Sequence, residues 1–380
     1  MKKSLFQFDS LLRGFTGSFA VFLCACSTTV PPKPDSSASF DTELGEFSEM
    51  PTARMGSLPF PGPFTLFTSA DPAALGRHAY DGANKEGAVP ETDRGIIYTR
   101  RAGFLDISHV RNAADMTAYI HARVHLALER GWGSMRFRSY EPSDYSVEFN
   151  YPDGWATLTK DQRVNVTDEL AVRVAQLLAH HVMNWHEILT WYGYKSTVIF
   201  SEQGSAFTYE DTPSHALGIE LAGVAIRRRG DFDERMTELL ENSMRELEAV
   251  DQEQLDVAIE RVKGKWWATP GSTRERMFDL GLDDGTIEPW LVPGMEGGEP
   301  VVFRLPELDV IGGLDCAQFF TVQIDPNVLE GFKIRERLAG SPEHINPQTD
   351  FPVLITGISE HLTESPEPLP ELEESTTHDH

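Results

Sequence analysis

From Gly95 to Lys263 the spacing of apolar residues changes repeatedly, and each change predicts an element. Gly95–Thr99 and Gly103–Val110 are short apolar runs that read as extended segments. Asn112, with Asp115 three residues on, has the form of a capping box, which predicts a helix to about Arg130, stopped by Gly131. Arg136 to Phe149 and Gly154 to Leu158 alternate well enough for a hairpin or small sheet. Asn165 or Thr167 can cap a second helix that runs to about Tyr192 and ends at Gly193. Thr212-Pro213 opens a third, with proline at the favoured first position. Asp233 to about Lys263 reads as two amphipathic helices broken near Val250-Asp251. Beyond Gly271 come loops and short strands, among them Val301–Leu305 and Gln318–Ile324. The pattern gives an α+β fold: one helix-rich domain over residues 60–358, with short strands and a long central apolar helix. No internal repeat interrupts it.

On a wheel of about 100° per residue, the central helix divides its polar groups. Leu170, Val174, Leu178, Val182, Trp185 and Ile188 lie in a broad apolar arc. Arg173, Gln176, His180, Asn184 and Glu187 make one narrow polar stripe, which suits either a solvent face or a site. His181 points into the apolar arc, and His186 lies beside Val182 and Ala179. A buried imidazole needs a partner, and a hydrogen-bonded core histidine is the ordinary outcome. His186-Glu187 begins like a zinc-peptidase helix, but the position four residues after His186 is Thr190, so the second ligand of that pattern is missing. A divalent metal such as zinc would need ligands from distant segments.

The ends of the chain carry an address. Lys2, Lys3 and Arg13 precede a short apolar run, Gly14 to Ala25, too short for a final membrane span. Leu23-Cys24-Ala25-Cys26 resembles the bacterial lipobox, with Cys26 as the acylated first residue of the mature chain after removal of residues 1–25. Ser27, rather than Asp, in the next position favours the outer membrane. Residues 26–59 are Ser/Thr/Pro-rich and read as a flexible tether. Residues 359–380 hold seven acidic residues and no Lys or Arg, the composition of a disordered tail. Only Cys316 would remain as a free thiol in the mature chain, so no internal disulfide is expected. The net charge of −26, from 59 acidic and 33 basic residues, argues against a nucleic-acid partner, which needs a basic footprint.

Two further clusters carry candidate chemistry. Asp106 and His109 sit where a strand is expected to hand over to a helix. Ser201-Glu202 to Glu210-Asp211 lies between two predicted helices; Ser205 lacks a nucleophile-elbow context, and Glu210 and Asp211 suit a helix cap. No phosphate-binding glycine loop appears. The motifs GFLDISHVR (Gly103–Arg111), WHEILTWYGY (Trp185–Tyr194) and the F-S-E and F-T-Y-E-D elements between Phe200 and Asp211 resemble the bacterial envelope lipoproteins grouped as domain of unknown function 4056, over roughly Pro59 to Gly340. That resemblance implies an exported lipoprotein and no established activity. Two functions follow as expectations. In one, the protein is a hydrolase or transferase acting on envelope lipid, peptidoglycan or lipoprotein, with His186, Glu187, His109, Asp106 and Glu202 as candidate catalytic residues around a general-base histidine. In the other it is a non-catalytic envelope module whose buried His/Glu network fixes helix packing.

Overall fold

The computed structural model describes residues 44–57, 68–82, 94–194, 203–269 and 272–364. Cys26, most of the tether, Glu202 and residues 365–380 lie outside them.

Three helices build the core: α1 (Ile107–Glu129), α2 (Lys160–Trp191) and α3 (Asp211–Arg228). The expected α+β class stands. However, the core is made by this trio rather than wrapped around one apolar helix, and α2 begins with exposed polar turns at Lys160–Arg163. Gly218 is what lets α3 lie on α1. A Cβ there would stand 2.1 Å from the Val110 carbonyl oxygen, inside any tolerable contact.

Both long helices start earlier than their sequence signals suggest. α1 is capped by Asp106, whose carboxylate accepts from the Ser108 N–H at 2.7 Å, so Asn112 is left for another use. α2 is capped by Thr159 in a reciprocal box with Gln162. In each case a polar residue about two turns upstream caps the helix, and Asn112, Asn165 and Thr167 fall inside it. The two amphipathic helices are α4 (Phe232–Glu246) and α5 (Gln252–Val262), each capped by an aspartate, Asp231 and Asp251. α6 (Leu329–Arg335) and α7 (Pro347–Glu364) follow.

The strands are minor. β1 (Ile96–Thr99) and β2 (Gly103–Asp106) form a fully buried hairpin that delivers the chain into α1. β3 (Ser134–Arg138) and β4 (Ser143–Phe149) pair as expected, and β5 (Phe320–Pro326) adds antiparallel to β4. Gly154–Leu158 is not a strand but holds a 3-10 turn at Trp155–Thr157. Further strands of two or three residues complete the C-terminal part.

Packing also extends past the borders drawn from composition. Residues 44–57, assigned to the tether, lie on the domain. Phe47 meets the rings of Tyr80 and Phe232 edge-on, and Arg123 donates to the carbonyls of Phe47 and Ser48. At the other end, the helix carries on through Ser359 to Glu364, because Phe351, Leu354 and Ile358 give it a buried face.

Candidate functional site

The β1–β2 hairpin, the Gly204–Glu210 turn and the glycine-mediated contact of α1 with α3 bring one set of polar side chains together. Asp106 ends β2, with its backbone N–H on Ser214 Oγ of α3 and that hydroxyl on the Glu210 carbonyl. One turn into α1, His109 Nδ1 lies 3.1 Å from Asp211 Oδ1 at the start of α3. His215, one turn further along α3, puts its ring centroid 5.1 Å from that of His109. From α2, Glu187 reaches the same place, and its Oε2 accepts the Phe207 N–H at 2.8 Å. Phe207 itself has φ of +58°, a conformation costing a non-glycine residue about 1–3 kcal/mol. The strained turn is what aims that N–H at Glu187.

Charge is unbalanced in this cluster. Asp106, Glu187, Glu210 and Asp211 are all buried, against two imidazoles, His109 and His215. The titrations respond. Burial pushes Glu187 up to about 8, reinforced by Asp211, although His186, the Phe207 N–H and His109 pull the other way. Burial would lower His109, but Asp106, Asp211 and Glu187 together raise it to about 9. Burial raises Asp106 despite His109 and its two backbone donors, from Ser57 and Ser108. Glu210 is pushed well above the usual carboxylate range by burial and by Asp211. Its geometry agrees: Thr208 Oγ1 lies 2.7 Å from Glu210 Oε1 and 2.8 Å from Asp211 Oδ2, and one hydroxyl proton can serve only one acceptor. A proton on Glu210, donated to the hydroxyl, lets Thr208 donate to Asp211. His215 is held neutral by burial and by the charge on His109.

Of the residues singled out in the sequence, the structure unites Asp106, His109 and Glu187. His186 turns aside: its Nδ1 meets Glu141 Oε1 on the β3–β4 loop at 2.5 Å, and its side chain is 31% exposed. The polar stripe of α2 is not a solvent face. Gln176 donates to the Ile219 carbonyl, and His180 Nε2 bonds the Leu280 carbonyl, with Asn184 at its side. His180 and His181 are neutral core groups, lowered by burial to about 4 and about 3. His215 escaped the sequence reading, and Asp211 entered it only as the end of a polar cluster. Asp211 looks like an ordinary cap, and the only available signal was that His215 follows it by four residues, on the same face of a helix.

Access is narrow. His109 keeps 19% of its side chain exposed. Among the described residues, cavities of about 340 Å³ near Trp191 and His361, and about 510 Å³ near Trp266 and Trp290, are lined by none of these groups. Nor are any three His, Cys, Asp or Glu side chains among the described residues arranged to hold a metal ion. No described helix is long and apolar enough to cross a membrane.

A family model described as "Protein of unknown function (DUF4056)" matches residues 45–278, more than half of the 380-residue chain. The match starts earlier than the motifs suggested, where the packed chain starts, and stops after the helical core. No curated protein and no solved structure matches the chain.

Proposed function

Since the chain belongs to the DUF4056 family, we propose that it is an outer-membrane-anchored lipoprotein, facing the periplasm, whose domain is an acid–base hydrolase or transferase acting on envelope components. The observation that carries the enzymatic half is the excess of carboxylates gathered from the end of β2, from α2 and from the start of α3 around His109, which is partly exposed. Burying four acids against two imidazoles costs stability that a packing role would not require, since amides could make the same hydrogen bonds. In this reading His109, oriented by Asp211 and Asp106, gives a proton to the substrate and recovers it. Glu187, with a pKa near neutrality, is the second proton-transferring group. The lipobox-like Leu23–Cys26 supports the anchor.

One observation favours the non-catalytic alternative. The cluster's carboxylates already accept the N–H groups of Ser57, Ser108, Phe207 and Thr208, as a packing network would. His109→Asn and Glu187→Gln separate the two readings in a deletion strain scored for its envelope phenotype. A site predicts folded variants that fail to complement. Variants that melt much earlier yet complement fully would establish the packing network instead. For the anchor, Cys26→Ser should move the protein from the detergent phase to the aqueous phase; equal partitioning of mutant and wild type rules out lipidation there.

A further inference from the structure

We propose that residues 51–57 occupy, as an intramolecular ligand, a groove on α1 built to bind an extended arginine-containing peptide, and that this strap must leave before a substrate reaches Asp106 and His109. The segment Pro-Thr-Ala-Arg-Met-Gly-Ser is held as a bound peptide is held. Asn112 grips Arg54 at both backbone groups: its Oδ1 accepts the Arg54 N–H at 2.8 Å, and its Nδ2 donates to the Arg54 carbonyl at 2.9 Å. Asp81 Oδ1 accepts the Thr52 N–H at 2.6 Å, and Asp106 Oδ2 accepts the Ser57 N–H at 2.5 Å. Among the described residues, no backbone–backbone hydrogen bond ties 51–57 to the rest of the chain. The grip is therefore made by side chains reading main chain, which suits many sequences.

Selectivity comes from a single pocket. The Arg54 guanidinium is buried, with Nη1 on Asp115 Oδ2 and Nη2 on the Ala79 carbonyl, both at 2.7 Å. Met55 next to it is 53% exposed and contributes nothing to recognition. The groove's acids, Asp81, Asp106 and Asp115, favour a basic occupant. Two residues after the arginine, the backbone lies on the candidate site. A Cβ on Gly56 would stand 2.6 Å from His109 Nε2 and 3.2 Å from Asp106 Oδ2. The peptide occupant thus covers the two groups assigned above to proton transfer. The covering role rests on that assignment, while the groove itself does not.

The test uses the full chain in detergent and reads binding rather than activity. In the wild type, hydrogen exchange at the Arg54 and Ser57 amides should proceed by local opening, independent of low denaturant concentrations. Exchange of those amides only through global unfolding overturns the proposal. Gly56→Ala and Arg54→Ala should each loosen the strap, and a fluorescein-labelled Pro-Thr-Ala-Arg-Met-Gly-Ser peptide should then bind the variants several-fold more tightly than wild type. The same peptide with alanine in place of arginine should bind weakly. Equal binding of the two peptides, or none by either variant, overturns the groove. Arg54→Ala alone risks misfolding because it strands Asp115, so Gly56→Ala and the wild-type exchange experiment stand independently of it. Peptide binding without loss of complementation in Glu187→Gln would keep the groove and remove the enzyme.

Discussion

α1 carries a buried charged cluster at each of two turns, and they are built on opposite principles. Around Asp115 the charges match. Burial would raise its carboxyl, but Arg54 at 2.7 Å and His78 at 2.9 Å hold it below the usual range. Around His109 they do not match, and the carboxylates Glu187, Asp106 and Glu210 are all pushed up. Desolvation pushes the carboxyls upward at both sites. What differs is whether the cations beside the acids are enough to balance them: Arg54 and His78 serve the single carboxylate of Asp115, whereas His109 stands among four acids. A matched pair makes a knot that ties the N-terminal segment to the helix, whereas an unmatched set leaves protons that can be exchanged near neutral pH.

The largest effect should come from breaking the matched cluster. Asp115→Ala strands a buried guanidinium and should cost about 3–5 kcal/mol in urea unfolding. A loss of under about 1 kcal/mol would erase the distinction between the two clusters.

Next is the pH dependence of the unmatched one. The folded pKa of Glu187, about 8, lies above its unfolded value of 4.5. The folded state therefore holds a proton that the unfolded state has released, and wild-type stability falls as pH rises from 4.5 through 8. His109, raised from 6.5 to about 9, acts in the same direction: its contribution is complete below 6.5 and lost as pH rises through 9. Glu187→Gln should keep the fold at neutral pH, since glutamine still accepts the Phe207 N–H, and should flatten the pH 4.5–8 part of the curve. Unchanged curvature in chemical denaturation across that range would show that the proton is not on Glu187.

His181 offers a smaller contrast on the same helix as Glu187. Its buried Nδ1 has no hydrogen-bond partner among the described residues, and its ring packs edge-on to Phe351. Burial lowers its pKa from 6.5 to about 3, so the folded state loses stability as pH falls below 6.5. His181→Leu should change stability by less than about 1.5 kcal/mol at pH 7, and should outlast wild type in acid. Earlier acid unfolding of the variant would mean His181 has a partner role. The smallest effect is expected at the end of the chain. Removing residues 365–380 should alter stability by less than about 0.5 kcal/mol, as checked by thermal melts.

Much of the architecture was legible in the chain. The break at Val250-Asp251, the β3–β4 hairpin and the helix ending near Tyr192 followed from period and capping chemistry. Helix starts were less legible, because Asp106 and Thr159 compete with good capping residues further on, and only packing decides which turn is ordered. The site was half visible. Asp106, His109 and Glu187 stood out as polar groups in apolar runs, but Asp211 resembles any helix cap. The tether border failed for a similar reason: Arg54 in a polar segment reads as solvated until Asp115 and Asn112 are seen to receive it.

Sequence by itself determined the α+β class, the strongly acidic surface and the list of titratable groups that burial would make costly. These depend on residue type and on neighbours within a few positions. Only the tertiary structure decided which histidines are neutral core and which is charged, and that His186 faces Glu141 while His109 faces Asp211. The ionisation of a buried group depends on what stands within a few ångströms of it, and here, beside the local Asp106, Asp211 and Glu187 come from helices about 80 to 100 residues away along the chain, with α3 brought against α1 where Gly218 lets them touch.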